Sequence, residues 1–144
     1  MIPFLFALVP AGAGIASALQ AATNGALTMR TNLVTALVVN VAVTLVGVAL
    51  LLLVPGSRLA VPGSGTPWHL YAGGIYGLLI IAGLAFAFPR LGGAWSIALF
   101  VLGQSATAML LDHFALIGHA HEPLSAGRLV GLTLVVGGVL LLRR

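Results

Sequence analysis

The chemistry open to this chain is set by polar side chains that interrupt long apolar runs. Ser17, Gln20, Asn24 and Thr28 follow one another at spacings of three, four and four residues. On an α-helix, at about 100° per residue, they form one stripe about 80° wide. Carboxamides and hydroxyls donate and accept hydrogen bonds without carrying charge. Such a stripe suits a polar pathway for a ligand, and equally the bonding of one helix to its neighbour. Asn40 is a further amide inside an apolar run, with Thr44 and Gly47 continuing its face. Gln104, beside Gly103, and Thr107 near it form a third polar group. Tyr76 and Trp95 offer aromatic faces on which a ligand could stack. Aromatic residues near the ends of apolar helices more commonly anchor them at an interface, a role that fits Trp68 and Tyr71 well. Ser17, Gln20, Asn24, Asn40, Tyr76, Trp95, Gln104 and Thr107 are therefore the candidate substrate-binding residues.

Covalent and metal chemistry are poorly served. The chain has no cysteine, which excludes disulfides, thiolate metal sites and a cysteine nucleophile. Its only acidic residues are Asp112 and Glu122. Asp112 closes an apolar run and reads as a solvated helix-end residue rather than a buried proton carrier. His113, His119 and His121 stand near both acids and are metal-capable types, but they occupy a loop without helical register, so no zinc site is expected. An enzyme acting on lipid-like substrates would need a clustered acid and base, which this loosely spaced loop does not offer. No catalytic residue and no cofactor are expected. The formal net charge of +4 comes from six arginines separated by long apolar runs, a distribution that excludes a nucleic-acid surface.

The elements that must hold these residues follow from composition. The chain is 60% hydrophobic and 6% charged, whereas a soluble domain carries about a quarter of its residues as charges. Lipid must be the solvent for most of its exterior. Five apolar runs cover about 3–29, 33–54, 68–88, 94–111 and 125–142, each near the length of about 20 residues that crosses a bilayer as a helix. None shows the strict alternation of a membrane-barrel strand. The expectation is an all-α integral membrane protein, a single transmembrane domain of five helices over 1–144, multi-pass in the plasma (inner) membrane. The first run is too long for a removable signal peptide and lacks its charged leader.

An odd number of spans puts Arg30, Arg90, Arg143 and Arg144 on one side and Arg58 and Arg128 on the other. The positive-inside rule then favours the N-terminus outside, by a margin small enough to leave insertion in both orientations open. Small residues supply candidate packing ridges: Gly73 with Gly77, Gly14 with Ala18 and Ala22, and the pair Gly137-Gly138. Pro10 is expected to kink the first span.

Several of these positions, taken in order, carry a resemblance. They are Gln20-xxx-Asn24, Gly73-Gly74 with Gly77, Pro89-Arg90-Leu91-Gly92, Gly103-Gln104, Asp112-His113-Phe114, and Pro123-Leu124-Ser125 with Arg128 and Gly131. The set resembles the YdcZ-type family of the drug/metabolite transporter superfamily, itself distantly related to small multidrug resistance transporters. The resemblance covers essentially the whole chain. It implies a half-size transporter that pairs with a second copy, or with a paralogue, inserted upside down, giving an antiparallel dimer of ten helices with a polar site at mid-membrane. Small multidrug resistance transporters use a glutamate in the first helix, whereas this chain has neutral Gln20 and Asn24 on the equivalent stripe. That departure points away from proton-coupled export of cations and towards a small polar molecule that is uncharged, zwitterionic or weakly charged. The competing expectation is a structural or assembly subunit whose polar residues only pack.

Overall fold

The computed structural model describes residues 4–60, 62–118 and 120–142. Residue 3, His119, Arg143 and Arg144 lie outside the described residues. Five α-helices are present among them: α1 (Phe4–Arg30), α2 (Leu33–Leu51), α3 (Gly73–Leu91), α4 (Gly93–His113) and α5 (Ala126–Leu141). Single 3-10 segments occupy Trp68–Ala72 and Leu116–Gly118, and no strand occurs among the described residues. A helix satisfies its own backbone hydrogen bonds, the condition for entering hydrocarbon.

Three segments are long and apolar enough to cross a membrane: Leu33–Leu51, Trp68–Leu91 and Gly93–His113. Ala126–Leu141 is apolar but shorter, at 16 residues. The 27-residue α1 is the least apolar of the five, and its second half carries the amide stripe. It runs through Pro10 as one continuous helix.

Helix ends follow local chemistry. Asn32 is extended and its side-chain oxygen accepts the Thr35 N–H at 2.8 Å, which starts α2 two residues after α1 stops. Past Leu51 the chain tightens into bonds that skip three residues, with Leu53 N–H to Leu50 O and Val54 N–H to Leu51 O, until Pro55 and Gly56 break it. The apolar run therefore reaches Val54 although the α-helix stops earlier. Gly56 (φ 91°) and Gly92 (φ 83°) take the left-handed backbone that an L side chain resists, and Gly92 marks the start of α4. Pro89 does not end α3, which continues to Leu91. Ser125 caps α5 by accepting the Arg128 N–H at 3.3 Å.

The chain divides into two compact units, one carrying α1 to α3 and ending at Arg90, the other starting at Leu91 and carrying α4 and α5. In the first unit the buried residues are small: Ala21 and Gly25 on α1, Ala36 on α2 and Ala85 on α3, with Leu84 and Asn24. Close backbone approach, rather than interlocking of large side chains, holds these helices, as in other membrane bundles. Gly25 is the clearest case, because a Cβ built there would lie 3.2 Å from Phe88 Cβ and 3.4 Å from Pro89 Cδ. The ridge that packs on α1 is thus Ala21 and Gly25. The expected Gly14, Ala18 and Ala22 ridge lies along a neighbouring line of the helix, with Gly14 and Ala22 exposed. Gly73 and Gly77 are likewise open, with no atom within 4 Å of a built Cβ.

In the second unit α4 and α5 form an antiparallel hairpin closed by charge. Arg128 lies 3.5 Å from Asp112 and 2.6 Å from Glu122. The Glu122 N–H donates to the Asp112 backbone oxygen at 2.9 Å, drawing the loop back onto the end of α4. Asp112 is thus an ion-paired helix-end residue, at the position expected for it. Elsewhere the outer faces are apolar. Val43, Leu45, Leu50, Leu79 and Leu134 are all more than half exposed, a surface that only lipid or another apolar helix can cover.

Candidate functional site

Of the candidate residues, three meet. Gln20 and Asn24 sit one turn apart on α1, and Asn40 faces them from α2. Gln20 Nε2 and Asn24 Nδ2 both donate to Asn40 Oδ1, each at 3.0 Å. The contact forms because α1 and α2 are antiparallel neighbours joined by a short turn, so the middle of α2 returns beside the last half of α1. A single carbonyl oxygen with two lone pairs accepts both donors, which sets the orientation of all three amides.

The triad is partly sealed. Asn24 is 8% exposed, Asn40 is half-buried and Gln20 is exposed. No fully buried side-chain nitrogen or oxygen among the described residues lacks a partner. Thr28 and Thr44 turn their hydroxyls onto their own helices, bonding Asn24 O and Asn40 O respectively at 2.8 Å. Ser17 is half-buried, near Gln20 on α1, and is outside the triad's hydrogen bonds.

Asn40 also lines a groove between α2 and α3 of about 360 Å³. Asn40, Thr44 and Val48 run along its α2 side and Gly74, Gly77 and Ile81 along its α3 side. The glycines hollow it out, since nothing stands within 4 Å of a built Cβ at either. Tyr76 is 60% exposed on α3 and does not line the groove. No charged residue lines it.

Trp95, Gln104 and Thr107 belong to the second unit. Trp95 is half-buried in the first turn of α4, lining with Gly92, Gly93 and Leu142 a cavity of about 190 Å³. Gln104 and Thr107 are exposed on the same helix. No group of three or more metal-capable side chains occurs among the described residues. His113 Nδ1 instead lies 3.4 Å from the Leu124 N–H, as its acceptor, and its ring stacks edge-on with Phe114.

Residues 5–141 match the model of a family described as "Putative inner membrane exporter, YdcZ". That is nearly the whole chain. It belongs to the YdcZ family. No curated protein and no solved structure matches it. Membership places this YdcZ-family chain in the inner membrane as a multi-pass protein, in agreement with its long apolar helices. The YdcZ description is that of an exporter, a transport class and not an enzyme class.

Sequence reasoning placed Gln20, Asn24 and Asn40 among the candidates but left open which partners they take. Thr44 was visible only as a continuation of the Asn40 face. Gly77 reads from the sequence as a packing position with Gly73, whereas it lines a groove with Gly74 instead. Arg128 is one of several isolated arginines in the sequence, and its pairing with both acids depends on the path of the loop.

Proposed function

We propose that this YdcZ-family chain is a half-size transporter of a small polar molecule that carries no net charge, working as an antiparallel dimer of five-span subunits. The observation that carries the reading is the amide triad of Gln20, Asn24 and Asn40. It is a hydrogen-bonding centre with no ionised group, placed about two turns inside the facing ends of two apolar helices. Polar groups at that depth are costly and concentrate at pathways and sites. In a dimer of inverted subunits two such triads converge near mid-membrane, where alternating access exposes them to each side in turn. Ser17, Tyr76, Trp95, Gln104 and Thr107 are the further residues proposed to contact substrate. The partner is a second copy or a paralogue of opposite orientation.

Two measurements test it. Purified protein in vesicles is expected to exchange a labelled neutral or zwitterionic metabolite from a panel across the bilayer. Hydrophobic cations are expected to bind weakly and to release no protons. Tight cation binding with proton release would overturn the neutral site. For the pairing, one cysteine is added beyond Arg144 or within the Ser64-Gly65 loop of this cysteine-free chain. Labelling intact cells with an impermeant thiol reagent is expected to reach about half of each site, because both orientations are present. Labelling of one side only would exclude self-pairing upside down.

A second reading has one observation in its favour. Both amide donors of the triad are already bonded inside one chain, as they would be in a helix-bundle subunit that transports nothing.

A further inference from the structure

We infer that the groove between α2 and α3 binds a neutral amphiphile, a molecule with an apolar body and an uncharged head that both accepts and donates hydrogen bonds. The inference rests on the transporter reading for what the site serves, and on the groove for what it holds.

The head group is specified by two residues one turn apart on α2. Asn40 Oδ1 is occupied by the N–H groups of Gln20 and Asn24. Its Nδ2, with two hydrogens, is the polar end left over, and Asn40 lines the groove. Thr44 Oγ1 donates its hydrogen to the Asn40 backbone oxygen at 2.8 Å, so towards the groove it is an acceptor. A donor and an acceptor side by side match a carboxamide, a urea or an alcohol.

The body is specified by the rest of the lining, which is aliphatic side chain and glycine. Leu45 and Leu78 form walls, and Gly74 and Gly77 leave the space between them empty. At about 360 Å³ the groove falls at the small end of the range of about 300–1,000 Å³ typical of ligand sites. Charge is excluded by the surroundings. Neither of the chain's acids, Asp112 and Glu122, lines the groove, and nor do Arg30, Arg58 and Arg90. An ion there would lose hydration with no counter-charge in return.

The test uses the full chain in lipid nanodiscs with three labelled probes of equal chain length: octanamide, octanoate and octylammonium. Empty nanodiscs correct for partitioning. Octanamide is expected to bind saturably, at least about tenfold more tightly than either ion at neutral pH. Gly77→Leu, whose Cβ would meet nothing within 4 Å and whose side chain would take up the groove, is expected to abolish that binding while leaving the fold intact. Thr44→Val is expected to weaken it about fivefold, the loss of one hydrogen bond. Equal retention of all three probes, or octanamide binding untouched by Gly77→Leu, would overturn the inference. So would Gly77→Leu splitting a dimer into monomers, which would make the groove a seat for the second subunit. Saturable octanamide binding by a protein that moves no solute across vesicles would uphold the site and remove the transporter reading. Solute flux that Gly77→Leu leaves unchanged would do the reverse.

Discussion

Asn40→Leu is expected to abolish solute exchange and to destabilise the chain by about 1–2 kcal/mol, near the upper end of what interhelical hydrogen bonds contribute in membranes. Leucine shares asparagine's branched outline and fits an apolar helix, so the change removes the carboxamide's acceptor and its donor without opening a cavity. That acceptor takes two bonds, from Gln20 and Asn24. Gln20 is exposed and can find another partner. Asn24 is 8% exposed and its N–H2 is stranded. In a water-soluble protein a stranded buried donor costs about 1–3 kcal/mol. The membrane value is smaller because the unfolded helices also find partners within the bilayer.

The double variant Asn24→Leu/Asn40→Leu decides what the triad is for. Replacing both partners with apolar groups of similar shape can be nearly neutral for stability. Thermal unfolding in detergent is therefore expected to return close to the wild-type midpoint, while vesicle exchange stays at background. Recovery of stability together with exchange would mean that the triad only packs, and the helix-bundle reading would take over.

The second large effect is expected at Gly25. Alanine there brings a Cβ to 3.2 Å from Phe88 Cβ, so the neighbouring helix must give by a few tenths of an ångström. Leucine adds three more carbons in the same direction, towards Phe88, Pro89 and the backbone oxygen of Ala85. Pro89 cannot turn aside, since its ring is part of the backbone. Gly25→Leu must push α1 and α3 apart, and is expected to cost about 3 kcal/mol or more, at the severe end of overpacking. Gly77→Ala is the control. Its Cβ meets nothing within 4 Å, and alanine in place of a helical glycine is expected to be neutral or to stabilise by up to about 1 kcal/mol. Thermal unfolding of both variants in the same detergent checks the contrast. Equal midpoints would mean that α1 and α3 do not meet at Gly25.

These two residues also show how far the chain can be read before it folds. Asn40 was legible because an amide inside an apolar run needs a partner, whatever the fold. Its choice of Gln20 and Asn24 over lipid-facing water or another subunit was not, since periodicity gives a face and not a neighbour. Gly25 carried no distinguishing mark among 19 glycines. The packed ridge and the expected one differ by a rotation of about 100° or less about the same helix, and both offer small residues four apart. Only the position of Phe88 and Pro89 separates them.

Composition and spacing by themselves determined that the chain is helical and lipid-bathed, that its breaks fall at Arg30-Thr31-Asn32, Pro55-Gly56 and Gly92, and that its interior chemistry is neutral. Those features depend on local backbone preference and on the cost of putting charge in hydrocarbon, which act residue by residue. The tertiary structure decided which amides share one oxygen, which glycines touch and which leave a groove, and that Arg128 holds both acids. Those depend on distances between segments far apart in the chain. In a bilayer apolar side chains gain little by leaving lipid for one another, so the sequence pattern specifies a helix far more strongly than it specifies that helix's neighbour.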